Sequence, residues 1–337
     1  MAFPRRIRSS SAARGTDPRR TRMEFEARIE ALRPEMLAHC YRMLGSYHDA
    51  EDLAQETLLR AWRARDRYDE QRATLRTWLY RIATNACLTA LDGRGRRPLP
   101  SGLGAPSQDA AAPLEPQFEV PWLQPFPDRV LGSPDPASAA AARSGLRLAF
   151  VAAMQALPAR QRAVLVLREV LAFSANEVAE MLETSAASVN SALQRARAGL
   201  DRAALNEDDV TDLSDAEQRA RIDSYVTAFE RADVAGLTRL LTDEAVLEMP
   251  PVPLWYRGRD SYGAFMTHLF ERRGRRWRMA PTEANGQPAV AAYIGAADGA
   301  YRLHTLHVFD VVAAGIRTNV VFQDPAVLGS FGLPPTM

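Results

Sequence analysis

The chain contains no lysine. All 42 of its basic side chains are arginine, set against 41 carboxylates for a formal net charge of +1. A basic set made only of Arg reads as the composition of a GC-rich genome, not as selection for bidentate contacts. A net charge this close to zero gives no support on its own to a nucleic-acid partner. Cysteine is nearly absent too: Cys40 and Cys87 are too few for a disulfide framework or a cysteine-rich zinc site. Both sit in helical patterns beside apolar neighbours, as buried thiols of a reducing cytoplasm do. No apolar run approaches the roughly 20 residues a membrane span needs. The first 22 residues hold seven Arg and no apolar core segment, which excludes a secretory signal peptide. They read as a disordered basic leader, with Met23 an alternative start of translation.

What is present is unevenly spread. Ten of the 22 prolines fall within residues 98–137, so 98–139 reads as an extended linker that no helix can cross. Its Phe118, Val120, Trp122, Leu123 and Phe126 are too apolar for a plain spacer, and part of it is expected to dock in a groove. Charge is partitioned as well. Residues 23–59 carry three Arg against eight carboxylates, whereas 60–97 carry ten Arg against four. An acidic stretch followed by a basic one points to two different partners on one small domain.

Hydrophobic periodicity divides the rest into three parts. Leu32, Met36, Leu37, Cys40, Met43 and Leu44 recur at helical spacing, as do Ala50 to Trp62 and Trp78 to Ala90. Residues 23–97 therefore read as one all-α domain, and 140–205 as a second. Residues 215–337 begin with helices and turn to β-branched and aromatic runs, with strands expected at 245–249, 277–282, 289–294, 301–312 and 316–322. That order predicts a separate α+β domain.

Three motifs carry chemistry. Ser174 and Glu177 form an S-x-x-E capping box ahead of a short helix, and Glu183-Thr184-Ser185 makes a turn into a second helix. Val189, Leu193, Ala196 and Leu200 are its buried stripe. Ser188, Asn190, Ser191, Gln194, Arg195 and Arg197 are left outside, where amides can read adenine edges and Arg can take guanine edges or phosphates. A solvated helical hairpin is the plain alternative. In the second motif, Asp52, Gln55, Glu56 and Leu59 share an exposed face, an acidic patch with one apolar residue, suited to a basic protein surface. The third is a polar loop from Asp66 to Thr74 followed by an Arg- and aromatic-rich helix. There Tyr68, Trp78 and Tyr80 can stack on bases of single-stranded DNA, although a Trp at helical spacing serves equally well as core.

Taken in order, "YRMLGSYHDAEDLAQETLLRAWRA", "LRTWLYRIATNACLTALDGRGRR" and "ALPARQRAVLVLREVLAFSANEVAEMLETSAASVNSALQRARAGL" resemble the extracytoplasmic-function sigma factors. The resemblance implies core RNA polymerase and promoter DNA as partners. The helix bearing Asp52, Gln55, Glu56 and Leu59 would dock on the clamp helices of the largest subunit, with a further contact to the flap of the second-largest. The loop with Tyr68, Asp69, Arg72 and Thr74 would hold a flipped-out base of the −10 element, and Arg76, Trp78, Tyr80, Arg81 and Asn85 would contact the opened strand. The helix 185–199 would read the −35 element. Many relatives carry basic residues where this chain has Asn190 and Ala192, a departure that puts strong phosphate gripping there in doubt.

The tail, through "RIDSYVTAFERADVAGLTRLLTDEAVLEMPP", "WYRGRDSYGAFM" and "DPAVLGSFGLP", is similar to the SnoaL-like, NTF2-like fold, a curved sheet wrapped by helices around a conical cavity. Such a tail is implied to contact the sigma domains and to modulate activity in cis. Phe229, Met249, Trp255, His304, His307, Asp310 and Phe322 are the cavity candidates. His304 and His307, three apart on one expected strand, should face opposite sides. No catalytic residue, metal or cofactor is expected. The rival readings are a SnoaL-type enzyme with a DNA-binding appendage, and a repressor that works without polymerase.

Overall fold

The computed structural model describes residues 18–132, 145–201 and 213–337. The first helical domain has α1 (Pro18–Glu30), α2 (Arg33–Leu44), α3 (Tyr47–Arg63) and α4 (Leu75–Leu91). Because α1 begins at Pro18, the expected leader is already helical from residue 18; residues 1–17 lie outside the described residues. α2 is the central helix, buried at every position from Glu35 to Leu44, as a helix packed on all sides must be. It ends at Gly45, whose φ of +66° suits glycine and where a Cβ would fall 2.8 Å from Leu123 and 2.9 Å from Gln155. That close approach lets the linker and the second helical domain both reach the helix end. Ser46 and Thr74 cap α3 and α4, each side chain accepting from the backbone N–H three residues on.

The second helical domain comprises α5 (Leu148–Gln155), α6 (Ala159–Leu165) running into a π-turn at Val166–Val170, α7 (Ala175–Met181) and α8 (Ala186–Asp201). It is bolted to the first by a buried cation. The Arg162 guanidinium donates to the Met43 carbonyl at the end of α2, and to Gln155 Oε1 (2.8 Å), the Gln155 carbonyl (3.1 Å) and the Leu157 carbonyl (3.2 Å). Burial lowers its pKa to about 10, so it remains charged at neutral pH and depends on those four acceptors.

The tail comprises α9 (Asp215–Glu230), α10 (Val234–Arg239), β1 (Leu241–Glu248), β2 (Trp255–Arg257), α11 (Arg259–Arg273), β3 (Trp277–Ala284), β4 (Gln287–Gly295), β5 (Tyr301–Val312), β6 (Gly315–Phe322) and α12 (Pro325–Gly329). The sheet order is β2-β1-β6-β5-β4-β3, with only the β1–β6 pair parallel. All five expected strands are present. β2, three residues long, is too short to leave a period-2 signal.

Both faces of this sheet are buried. On one face Val290, Ala292, Phe309 and Val321 pack with α9–α11. On the other, Ala289, Leu306, Val308, Val320 and Phe322 join the core of the two helical domains. The alternation along each strand thus serves two cores at once. It also corrects one expectation: Phe322 points to the helical domains and not into the tail's cavity.

The linker is structural over its described part, 98–132. Trp122, Leu123 and Phe126 are buried while Phe118 stays 63% exposed. The junction of all three parts is the β3–β4 hairpin, where Asn285 and Gly286 have φ of +58° and +64°, as a two-residue turn of the primed type requires. Asn285 is fully buried. Its Nδ2 donates to the Tyr41 hydroxyl of α2 (2.8 Å) and to the Leu146 carbonyl (2.7 Å), and its Oδ1 accepts from the linker's Phe126 N–H (2.8 Å). The backbone N–H of Asn285 donates back to the Phe126 carbonyl (2.9 Å). Around this hub the Asp128 carboxylate accepts from Gly286 N–H (2.8 Å), Gln287 Oε1 accepts from Leu148 N–H (2.7 Å), and Asp310 is paired with Arg147 (2.5 Å) and Arg317 (2.6 Å). Asp310 therefore belongs to the junction and not to the cavity.

Replacing Asn285 with Ala leaves the Leu146 carbonyl and the Phe126 N–H unmatched, takes one of two hydrogen bonds from the Tyr41 hydroxyl, and places a Cβ residue in the left-handed region without a compensating side chain. The expected loss is roughly 2–4 kcal/mol of stability, read by denaturant unfolding of the full chain. Tyr41→Phe, which removes one of those partners, should cost less.

Candidate nucleic-acid interface

The helix-turn-helix is built as the spacing requires. The Ser174 hydroxyl accepts from Glu177 N–H at 3.2 Å and the Glu177 carboxylate accepts from Ser174 N–H at 2.8 Å, a reciprocal cap that fixes the start of α7. Glu183, at φ +52°, turns the chain, and the Ser185 hydroxyl accepts from Ser188 N–H (3.2 Å) at the start of α8. Val189, Leu193, Ala196 and Leu200 are buried. Ser188, Asn190, Ser191, Gln194, Arg195 and Arg197 are exposed along the opposite face. Arg197 is not free on that face, since it pairs with Glu169 at 2.6 Å.

On α3, Asp52, Gln55 and Leu59 are exposed, Leu59 by 40%. Glu56 is partly covered and holds Arg60 at 2.8 Å. After α3 the chain turns through a loop in which Asp69 Oδ1 accepts from Gln71 N–H at 2.9 Å, leaving Asp69 and Arg72 exposed and Thr74 as the cap of α4. Tyr68 is partly buried, its ring 5.2 Å from Trp78 and 6.1 Å from Phe25. Trp78 takes the packing role and only part of its ring is open.

α4 departs further from the expectation. Tyr80 is 1% exposed and its hydroxyl donates to Glu35 Oε2 at 3.0 Å; it is a core residue and cannot stack on a base in this arrangement. Arg76 donates to the same Glu35 oxygen at 2.7 Å and lies over the rings of Tyr80 and of Phe173 in the second helical domain. Arg81 reaches Glu183 of the helix-turn-helix at 3.2 Å. Asn85 is exposed but lines a cleft shared with Ala159, Arg160 and Leu182. The α4 face therefore lies against the second helical domain, with the exposed loop at its edge.

The tail's cavity gathers Phe229, Met249, His304 and His307. Trp255 is not among its lining residues; its indole N–H donates to the linker's Gly104 carbonyl at 2.9 Å. His304 and His307 share the cavity because β5 bulges: Ala292 pairs with Thr305 but Tyr293 with Leu303, so His304 is an extra residue and the parity of the strand shifts. Burial lowers the pKa of both rings, that of His307 to about 3. The polar floor of Tyr225, Tyr262 and Asn319 gave no motif in the sequence, because these residues come together only through packing. Glu248, which pairs in register with Val320 on the face of the sheet away from the cavity, is 4% exposed. The neighbouring Ser101 favours its charged form, yet burial dominates and pushes its pKa up to about 7, and its Oε2 has no hydrogen-bond partner among the described residues.

Comparison with known proteins agrees with this construction. The chain matches Sigma-70 region 2 over residues 28–97, Sigma-70 region 4 over 147–200 and a SnoaL-like domain over 222–318. Fold and matches together define a sigma-70-type initiation factor with an α+β tail. It is 46% identical over 321 residues to the ECF RNA polymerase sigma factor SigG of Mycobacterium tuberculosis, covering 94% of this chain and 85% of that protein. The chain belongs to the ECF RNA polymerase sigma factors, which direct promoter recognition and transcription initiation. SigJ of M. tuberculosis is 31% identical over 169 residues, half of this chain (50%) and 47% of that protein. The crystal structure of SigJ shares the fold, with a TM-score of 0.60 at 22% identity, covering 93% of this chain and 99% of that one.

The Glu248 pKa sets a pH dependence. A carboxyl whose folded-state pKa lies above its ordinary value holds a proton that the unfolded chain has lost, so stability is present below the ordinary carboxylate range and falls as pH rises through about 7. Glu248→Gln, which keeps the shape of the side chain and removes the ionisable group, should stabilise the protein by roughly 2–3 kcal/mol near pH 8 and little near pH 5. Thermal unfolding across that range checks it.

Proposed function

We propose that the exposed face of α8 reads the −35 element, with Gln194 and Asn190 on base edges and Arg195 on a base or phosphate. The observation that carries this is the continuous polar face Ser188–Arg195 on a helix whose opposite face is fully buried. Asp52, Gln55, Glu56 and Leu59 form the polymerase-docking face, and the loop Tyr68–Thr74 takes a base of the −10 element. Region 2 is taken as 23–97 and region 4 as 140–205, with the tail a regulator in cis. Because Arg76 and Arg81 contact the second helical domain, strand contact by α4 requires the two helical domains to part. The tail, holding both domains and the linker through the Asn285 hub, restrains that opening.

The protein acts in the cytoplasm, where its template and polymerase are. The tail is read as a regulator without catalysis: the His307 ring is kept neutral by its burial and is engaged by Asn319 and Thr305.

Run-off transcription with core polymerase and a genomic library tests the reading. The full chain should start transcripts at defined sites. Arg195→Ala should weaken promoter binding by the holoenzyme and lower the slope of log affinity against log salt by about 1. Asp310→Ala, which unties Arg147 and Arg317 at the junction, should raise transcript yield at limiting core polymerase. Equal yield from Asp310→Ala and the unaltered chain would remove the tail from the account and leave the sigma assignment standing.

A further inference from the structure

The tail's cavity has a polar floor, apolar walls and a lid that does not belong to the tail. On the floor, Asn319 is 1% exposed. Its amide N–H groups meet the Tyr262 hydroxyl (2.8 Å), the Tyr225 hydroxyl (3.2 Å) and His307 Nδ1 (3.2 Å). With Nδ1 accepting, His307 Nε2 carries the proton and donates to Thr305 Oγ1 at 3.0 Å. These groups satisfy one another, with one exception. The Asn319 carbonyl oxygen is buried and has no hydrogen-bond partner among the described residues. An unmet buried acceptor is costly, and Asn319 is one of the residues that line the cavity.

The walls suit a flat ring. Phe229 and Trp277 meet edge to face with centroids 5.5 Å apart, and Met266 and Leu247 complete the apolar lining. At the rim, Arg273 lines the cavity, is exposed, and makes no ion pair among the described residues. The site thus offers an acceptor at the floor, an aromatic middle and a cation at the edge.

The lid is Leu114 of the linker, which packs against the tail's core and lines the cavity with it. The segment around it is laid along the tail by hydrogen bonds from Ser107 N–H to the Trp255 carbonyl (2.8 Å), from the Tyr256 hydroxyl to the Asp109 carbonyl (3.0 Å) and from Gln117 N–H to the Pro251 carbonyl (2.9 Å). With Leu114 in its lining, the cavity holds about 40 Å³. That is room for a few waters at most. A ring-sized molecule needs more room than this, and Leu114 is one of the side chains whose displacement supplies it.

We propose that this cavity binds a small hydroxylated aromatic carboxylic acid in competition with Leu114. The ring lies against the wall that Phe229 and Trp277 form together, the hydroxyl donates to the Asn319 carbonyl oxygen, and the carboxylate sits at Arg273. The site is then a place where a metabolite of that class exchanges with the linker that joins the two helical domains. The binding claim is independent of which promoter is read and of whether the tail restrains or assists transcription.

Calorimetric titration of the full chain with 4-hydroxycinnamate, cinnamate and 4-vinylphenol tests it without polymerase or DNA. The expected result is saturable one-site binding of 4-hydroxycinnamate, roughly tenfold weaker for cinnamate, which lacks the donor. 4-Vinylphenol, which lacks the carboxylate, should also bind more weakly, and Arg273→Gln should narrow that difference. Leu114→Ala, a partly exposed linker position whose loss does not open the core, should tighten binding several-fold, and Leu114→Trp should weaken it. No saturable heat from any of the three compounds with Leu114→Ala would overturn the proposal. So would binding that is equal for 4-hydroxycinnamate and cinnamate, or unchanged by both Leu114 variants.

Discussion

One buried asparagine at a left-handed turn holds the molecule together. Asn285 satisfies α2, the linker and the entry to α5 with a single amide, and its own backbone conformation is the one a tight hairpin demands. The arrangement is cooperative in a specific sense. The Tyr41 hydroxyl that accepts from Asn285 donates in turn to the Gln124 carbonyl (2.7 Å), so the linker is fixed through the helix as well as directly. Each group is buried and paired only if the other two parts are in place, because an unpaired polar group in that low-dielectric setting is costly. The three parts are therefore positioned jointly and not in sequence.

The sheet extends this logic to apolar surface. An antiparallel sheet ordinarily packs on one face and is wetted on the other. Here alternate residues of β4, β5 and β6 enter two different cores, so the tail has no solvated face to spare over that region. The same geometry separates the cavity, on the α9–α11 side, from the surface that grips the helical domains. His307 and Asn319 face the first, Leu306 and Val320 the second. A change in the cavity reaches the helical domains through the strands themselves or through the linker segment that lies over the cavity, and Leu114 belongs to the second route.

Much of this was legible in the sequence, and the reason differs by feature. The capping box, the turn and the buried stripe of α8 are local, set by residues three or four apart, and the structure reproduces them. The five longer strands were legible because runs of β-branched and aromatic residues persist over five or more positions. Tertiary parity was not: a single extra residue at His304 reversed which histidines share a side, and no local pattern announces a bulge there. Tyr80 reads as a stacking aromatic beside Arg76 and Arg81, yet its partner Glu35 is 45 residues away. The hub itself carries a local signal. Asn285-Gly286 between two alternating runs is a strong short-range hairpin mark, though nothing in it states that the turn is buried against α2.

Magnitudes order the ways in which this closed arrangement can come apart. The Arg81–Glu183 pair is 49% and 75% exposed, and a pair so wetted contributes little, about 0–1 kcal/mol. The Arg76–Phe173 contact is a half-buried cation over a ring and adds on the order of 1 kcal/mol. Arg162, by contrast, is a buried charge with four acceptors, three of them carbonyls at a helix end or turn. Pulling it from Met43 leaves the charge short of partners in a poorly solvated place, where breaking one side of such a contact costs several kcal/mol. The helix-turn-helix can thus swing from α4 at its outer edge far more cheaply than α6 can leave α2. The first opening is accordingly at the α4 and α7 contact, where it frees Arg76 and Arg81; the parting of the helical domains that bares the rest of α4 is the second and costlier step, and it is the one the Arg162 bolt and the Asn285 hub restrain.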